Sequence, residues 1–145
     1  MPLPVPELGL VISYAYLWHD EAAAGQEEGA KDRPCAVVLA VENRGGGTII
    51  AVVPVTHRAP VRPEEAVELP PMVKRRLGLD EARSWIIVSE INRFVWPGPD
   101  LRPISLRDPD RFDYGFLPPG LFRTVIERLE ATVAARRLRA VPRSE

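Results

Sequence analysis

The chain has 145 residues, enough for one domain with one sizeable core, and its net charge of −1 argues against a strongly basic nucleic-acid binder. Apolar residues make up 46% of it, yet none of its apolar runs nears the roughly 18 residues of a membrane span. Met1–Pro6 lacks the basic and apolar regions of a secretory signal, and the single Cys35 excludes an internal disulfide, so the cytoplasm is the expected location.

Residues 1–8 are proline-rich and read as extended. Residues 9–18 read as a strand, with Val11, Ser13, Ala15 and Leu17 alternating with Ile12, Tyr14, Tyr16 and Trp18. Apolar residues on both sides imply burial of both faces, or of one face against a partner. Residues 19–32 are small, polar and acidic and read as a flexible loop, in which Ala22 to Glu28 could form one helical turn. Two β-branched runs follow, 33–42 and 48–56, around the turn Glu42-Asn43-Arg44-Gly45-Gly46-Gly47, a strong hairpin signal. Folding about Gly45 puts residue i near residue 90 − i, which sets Arg33 beside Thr56 and His57.

Ala66 to Leu69 reads as a short strand. Pro70-Pro71 opens a short helix through Leu77, and Gly78 ends it. Residues 84–91 read as another strand. Residues 95–120 carry Pro97, Pro99, Pro103, Pro109, Pro118 and Pro119 and predict a long ordered loop with one edge strand at 101–106. The segment is long enough to cover a groove or to extend a dimer interface. The helix 119–139 presents Leu121, Phe122, Val125, Ile126, Leu129 and Val133 on one face and Arg123, Glu127, Arg128 and Glu130 on the other. The tail Ala140–Glu145 should fray. These elements predict an α+β fold, mainly β with helices: a partial barrel of antiparallel strands with a short helix and a C-terminal helix, in a single domain over 1–145.

The open end of the hairpin gathers chemistry. A guanidinium at Arg33 suits bidentate phosphate binding, and the Thr56 hydroxyl could help hold a reacting oxygen. His57 is a proton-transfer group or a surface cap. His19, beside Trp18, is either a second proton-transfer candidate or a solvent-facing strand end, and the neighbouring indole could stack on an unpaired base. Trp85 reads as core or dimer interface. Trp96, in a loop flanked by basic residues, is either a stacking platform or packed beneath the prolines. The sequence holds no Cys/His cluster and no close carboxylate group, so neither a metal nor a cofactor is expected. Charge is uneven: residues 1–50 carry three basic and seven acidic side chains, residues 51–145 sixteen and thirteen.

"KDRPCAVVLAV" followed by "IIAVVPVTH" resembles the MazF/PemK toxin family, the growth-inhibiting partners of type II toxin–antitoxin pairs. The likeness extends to Gly9-Leu10-Val11-Ile12, to Gly25-Gln26-Glu27, and to "SWI" in Arg83-Ser84-Trp85-Ile86-Ile87-Val88-Ser89-Glu90-Ile91-Asn92-Arg93, and so covers residues 9–94. It implies an SH3-like barrel and a metal-independent endoribonuclease that cuts single-stranded RNA by 2′-hydroxyl attack, leaving a cyclic phosphate. Arg33 matches the family's catalytic arginine and Thr56 its threonine; His57 completes the catalytic candidates without a family counterpart. Trp18, His19, Gln26, Arg58 and Trp96 are the candidate RNA-binding residues. The resemblance further implies a homodimer, a cognate antitoxin protein and operator DNA reached through the antitoxin complex, with no membrane partner. Glu90 stands where family members often carry a neutral polar residue; its carboxylate would repel phosphate or act as a base. The alternative is a non-catalytic module on the same barrel that binds nucleic acid or protein.

Overall fold

The alternating apolar residues of the first hairpin build the centre of a sheet. The structure, a computed structural model, describes residues 3–26, 29, 31–43 and 45–143. Among them are eight strands: β1 (Leu10–Tyr14), β2 (Arg33–Glu42), β3 (Thr48–Thr56), β4 (Ala66–Glu68), β5 (Trp85–Ile87), β6 (Glu90–Val95), β7 (Asp113–Phe116) and β8 (Arg139–Pro142). Three α-helices accompany them: α1 (His19–Ala23), α2 (Pro71–Leu77) and α3 (Pro119–Ala134), with a 3-10 turn at Pro63–Glu65. The strands run in the order β4-β5-β3-β2-β1-β7, and β3 also pairs with β6, which pairs in parallel with β8. All other pairings are antiparallel and the sheet does not close on itself. This is the α+β partial barrel expected from the sequence.

Side chains of alternate parity fill two cores, one on each face of the sheet. Val11, Ala36, Ala51, Val53 and Val55 pack with Leu77 of α2 and Val125 of α3. Ile12, Tyr14, Cys35, Val37, Ile50 and Val52 pack with Phe94 and Leu101, under Trp18, Trp96 and Phe112. All five residues of β1 are buried within the single chain. The proline-rich loop thus roofs the second core. Cys35 is the small buried thiol its strand position predicts, and burial pushes its pKa up.

Several boundaries depart from the expectations. The first strand ends at Tyr14 rather than residue 18, because Ala15 and Ser13 donate their amides to Asp100 and Phe112 of the roofing loop. Within the expected acidic loop, α1 forms at His19–Ala23, its start tied by the Glu21 carboxylate 3.0 Å from the Trp18 amide; the expected turn's end, Glu27 and Glu28, lies outside the described residues. The strand at 84–91 is two strands, β5 and β6, which pair with different stretches of β3. No strand forms at 101–106: Leu101 and Ser105 make isolated bridges only, and the edge strand is β7. The terminal helix stops at Ala134, and the expected fraying tail is β8, paired with β6 from Arg139 to Pro142. Residues 144 and 145 lie outside the described residues. On the helix's polar face Arg128 is engaged, donating to the carbonyls of Pro63 and Ala66. Among the described residues, no helix is long and apolar enough to cross a membrane.

Candidate functional site

The hairpin sets the site through a bulge. Near the turn β2 and β3 pair as expected, with Glu42 opposite Thr48 and Leu39 opposite Ala51. Between Val37 and Leu39 the register shifts, so Val37 faces Val52 and Cys35 faces Pro54. An extra residue on one strand is what defines a β-bulge. Carried two residues further, the shifted register sets Arg33 opposite Thr56, where the unshifted rule would give His57.

Arg33 is half-buried at the strand's beginning. Its guanidinium carbon lies 5.0 Å from the centre of the Trp18 ring, within cation–π range. Nη1 donates to the Val55 carbonyl over a long 3.4 Å, and Nε is buried with no partner among the described residues. An unmet buried donor of this kind carries a cost of about 1–3 kcal/mol.

Arg33 opens on a groove of about 1470 Å³. Trp18, Thr56, His57 and Arg58 line it too, so five of the eight candidate residues converge there. The remaining wall comes from segments distant in sequence: the 3-10 turn, the end of α2, Glu90 at the start of β6, and Arg136–Arg139 ahead of β8. Eight basic side chains and six acidic ones line it, a local excess of positive charge on a chain whose net charge is −1. Thr56 Oγ1 accepts from the Arg58 amide at 3.2 Å. His57 Nε2 lies 2.8 Å from Asp80 Oδ2, and Asp80 Oδ1 lies 2.7 Å from Lys74 Nζ. The ammonium's hydrogen bond holds the Asp80 carboxyl below its usual range.

The other three candidates lie outside the groove lining. His19 Nδ1 is 3.3 Å from Arg139 Nη1, and its amide donates to Glu90 Oε1 at 2.9 Å. Gln26 sits just past α1, its side-chain nitrogen 3.5 Å from Glu21 Oε2. Trp96 stacks on Phe94 with ring centres 6.3 Å apart, in the second core. Trp85 is half-buried beneath Arg83, whose guanidinium lies 5.0 Å from its ring centre.

Sequence reasoning missed Asp80, Lys74 and the Arg136–Arg139 wall. Glu90 it found as a position but not as a geometry. Its Oε1 accepts from Tyr16 Oη at 3.1 Å as well as from the His19 amide, and burial raises its pKa. Among the described residues, no three His, Cys, Asp or Glu side chains are gathered as a metal site would gather them. No protein-family model matches the chain, and no curated protein matches it at a significant level.

Proposed function

We propose that this chain is the growth-inhibiting toxin of a toxin–antitoxin pair, a MazF/PemK-like endoribonuclease that cuts single-stranded RNA without a metal. The observation that carries the reading is Arg33: a guanidinium braced on Trp18, short of acceptors, at the lip of a groove it shares with Thr56 and His57. The groove's volume exceeds the roughly 300–1,000 Å³ of small-molecule pockets, which favours a polymer as occupant. Its surplus of basic side chains suits a phosphodiester chain.

In this reading Arg33 binds the scissile phosphate and stabilises the charge that builds on its oxygens in the transition state. The substrate's 2′-oxygen attacks phosphorus as its proton leaves. The bond to the 5′-oxygen breaks, that oxygen departs with the bonding pair and takes a proton from solvent, and a cyclic phosphate remains. Thr56 holds a phosphoryl oxygen through its hydroxyl. The protein works as a cytoplasmic homodimer, and a cognate antitoxin silences it by occupying the groove; the complex of the two would engage operator DNA.

The test is direct. Purified protein is incubated with a long RNA in EDTA, the ends are examined for cyclic phosphate, and Arg33→Ala is run beside it. Cleavage in the chelator that falls about 10²–10³-fold in the variant supports the reading, since that is the usual cost of one transition-state donor. Intact RNA bound tightly by the wild-type protein would replace it with a non-catalytic binding module.

A further inference from the structure

Lys74 is an unusual residue to find inside this protein. Its side chain is only 5% exposed, at the end of α2 beside the buried Leu77. Buried ammonium groups must be paired and hydrogen-bonded to be tolerated. Three oxygens do this: the Ala82 carbonyl, Ser84 Oγ at 2.7 Å and Asp80 Oδ1 at 2.7 Å. The loop 78–84 is thereby wrapped around one cation. Asp80 Oδ1 lies against Lys74 Nζ at 2.7 Å, and His57 Nε2 faces both carboxylate oxygens, Oδ2 the nearer at 2.8 Å and Oδ1 at 3.1 Å. The Ala82 amide adds a further bond to Oδ1 at 3.1 Å.

We propose that Asp80, oriented by Lys74, is the positioning residue that fixes the tautomer of His57, and that His57 Nδ1 is the atom that takes the 2′-hydroxyl proton. This rests on the nuclease reading above. The reasoning is geometric. A carboxylate accepts only, so a neutral imidazole facing Asp80 must carry its proton on Nε2. Nδ1 is then bare, and only a bare nitrogen accepts a proton. His57 follows Thr56 directly and lines the same groove as Arg33. As the O2′–P bond forms, the proton moves from the 2′-oxygen to Nδ1, and the resulting imidazolium faces the Asp80 carboxylate. It afterwards returns the proton to solvent. A positioned base of this kind is worth about 10²–10⁴-fold in rate.

Asp80→Asn gives an unusually sharp test. Lys74 has donors only, so it keeps the side-chain oxygen of the new amide on its own side. The amide nitrogen then takes the place of Oδ2 and donates to His57 Nε2. The nearer of the two contacts to Nε2 thereby becomes a donor, so the ring proton moves to Nδ1 and the base is lost, while the size of the side chain is unchanged. The measurement is the imidazole ¹⁵N spectrum of histidine-labelled protein at pH 9, well above an ordinary imidazole pKa of about 6.5. A His19→Gln variant identifies the other histidine.

Wild-type protein should show the Nε2–H tautomer and Asp80→Asn the Nδ1–H tautomer. On an RNA oligonucleotide spanning a mapped cut, kcat should fall about 10²–10⁴-fold with KM within threefold. His57→Ala should lose as much and regain at least tenfold with added imidazole. An unchanged tautomer in Asp80→Asn overturns the positioning role, as does a switched tautomer with full kcat. Wild-type protein that leaves RNA intact overturns the nuclease reading and the proton transfer with it. The tautomer, read without substrate, still decides whether Asp80 positions His57.

Discussion

Replacing the buried Arg143 by methionine should destabilise this protein strongly. The arginine enters the second core from just beyond β8. Its Nη2 lies 2.9 Å from Asp100 Oδ2, with the two side chains 3% and 11% exposed. Nη1 donates to the Ala15 carbonyl at 2.8 Å and to Asn92 Oδ1 at 3.1 Å, and the guanidinium sits 5.6 Å from the Tyr14 ring centre. Methionine keeps most of the apolar stem and removes every polar bond. Asp100 would be left with Arg102 Nη2 at 3.8 Å as its remaining cation. Breaking a buried pair from one side costs about 3–5 kcal/mol, because the surviving charge stays buried. That is a large share of the roughly 5–15 kcal/mol that holds a domain together. At about 2–4 °C per kcal/mol for a chain of this size, Tm should fall by about 6–20 °C. Urea titration should show a lower midpoint with an unchanged slope. Adding Asp100→Leu should recover much of the loss, since both charges are then gone. A variant within about 1 kcal/mol of wild type would mean that the network is idle and that residues 139–143 hang as loosely as their composition suggests.

Three more outcomes follow from the same reasoning. Burial raises the Glu90 pKa in the fold above its unfolded value, so its contribution to stability is present in acid and is lost as pH rises through the folded pKa. Glu90→Gln should therefore be more stable than wild type at pH 7, with the advantage gone below about pH 4; equal gains at both pH values in urea titrations would contradict this. Gly78 caps α2 at φ 73° with nothing within 4 Å of an added Cβ, whereas Arg136 holds φ 58° as a non-glycine. Gly78→Ala should cost about 1 kcal/mol and Arg136→Gly should gain about 0.5–1 kcal/mol, both read from denaturant midpoints. Trp18→Ala should weaken RNA binding at least fivefold, because Trp18 lines the groove and braces Arg33, while Trp96→Ala should lower Tm and leave RNA affinity within twofold. Equal losses of affinity in the two variants would put the groove elsewhere.

The parts of the fold written in local patterns were legible. The hairpin ran over 33–42 and 48–56 as its β-branched runs and glycine turn imply, and α2 ended at Gly78 because that residue alone there adopts the left-handed backbone without penalty. What was hidden depends on partners far away in sequence. The bulge near Val38 has no composition signal, yet it decides that Arg33 shares the face of Cys35 and Val37; strict alternation from the turn would send it to the opposite face. The C-terminal segment looked like a polar tail because its anchor is one arginine whose acceptor, Ala15, lies 128 residues away. Asp80 followed a helix stop and looked like a solvated loop residue. One signal was available: Lys74 falls one turn before Leu77 and beside Val73, on the apolar stripe of α2, where a lysine needs a buried partner.

The parallel pairing of β6 with β8 has a consequence for how the protein comes into being. A parallel neighbour needs a long crossover, and here it spans everything between Val95 and Arg139. Such non-local pairing is among the slower events in folding, since the chain must close a large loop before any contact rewards it. Arg136–Arg139, one wall of the cleft, arrive with that strand. A nascent chain still on the ribosome, with its first six strands already made, therefore has Arg33 and Thr56 in hand but no complete cleft. Maturation of the site waits for β8 to be synthesised and zipped into place.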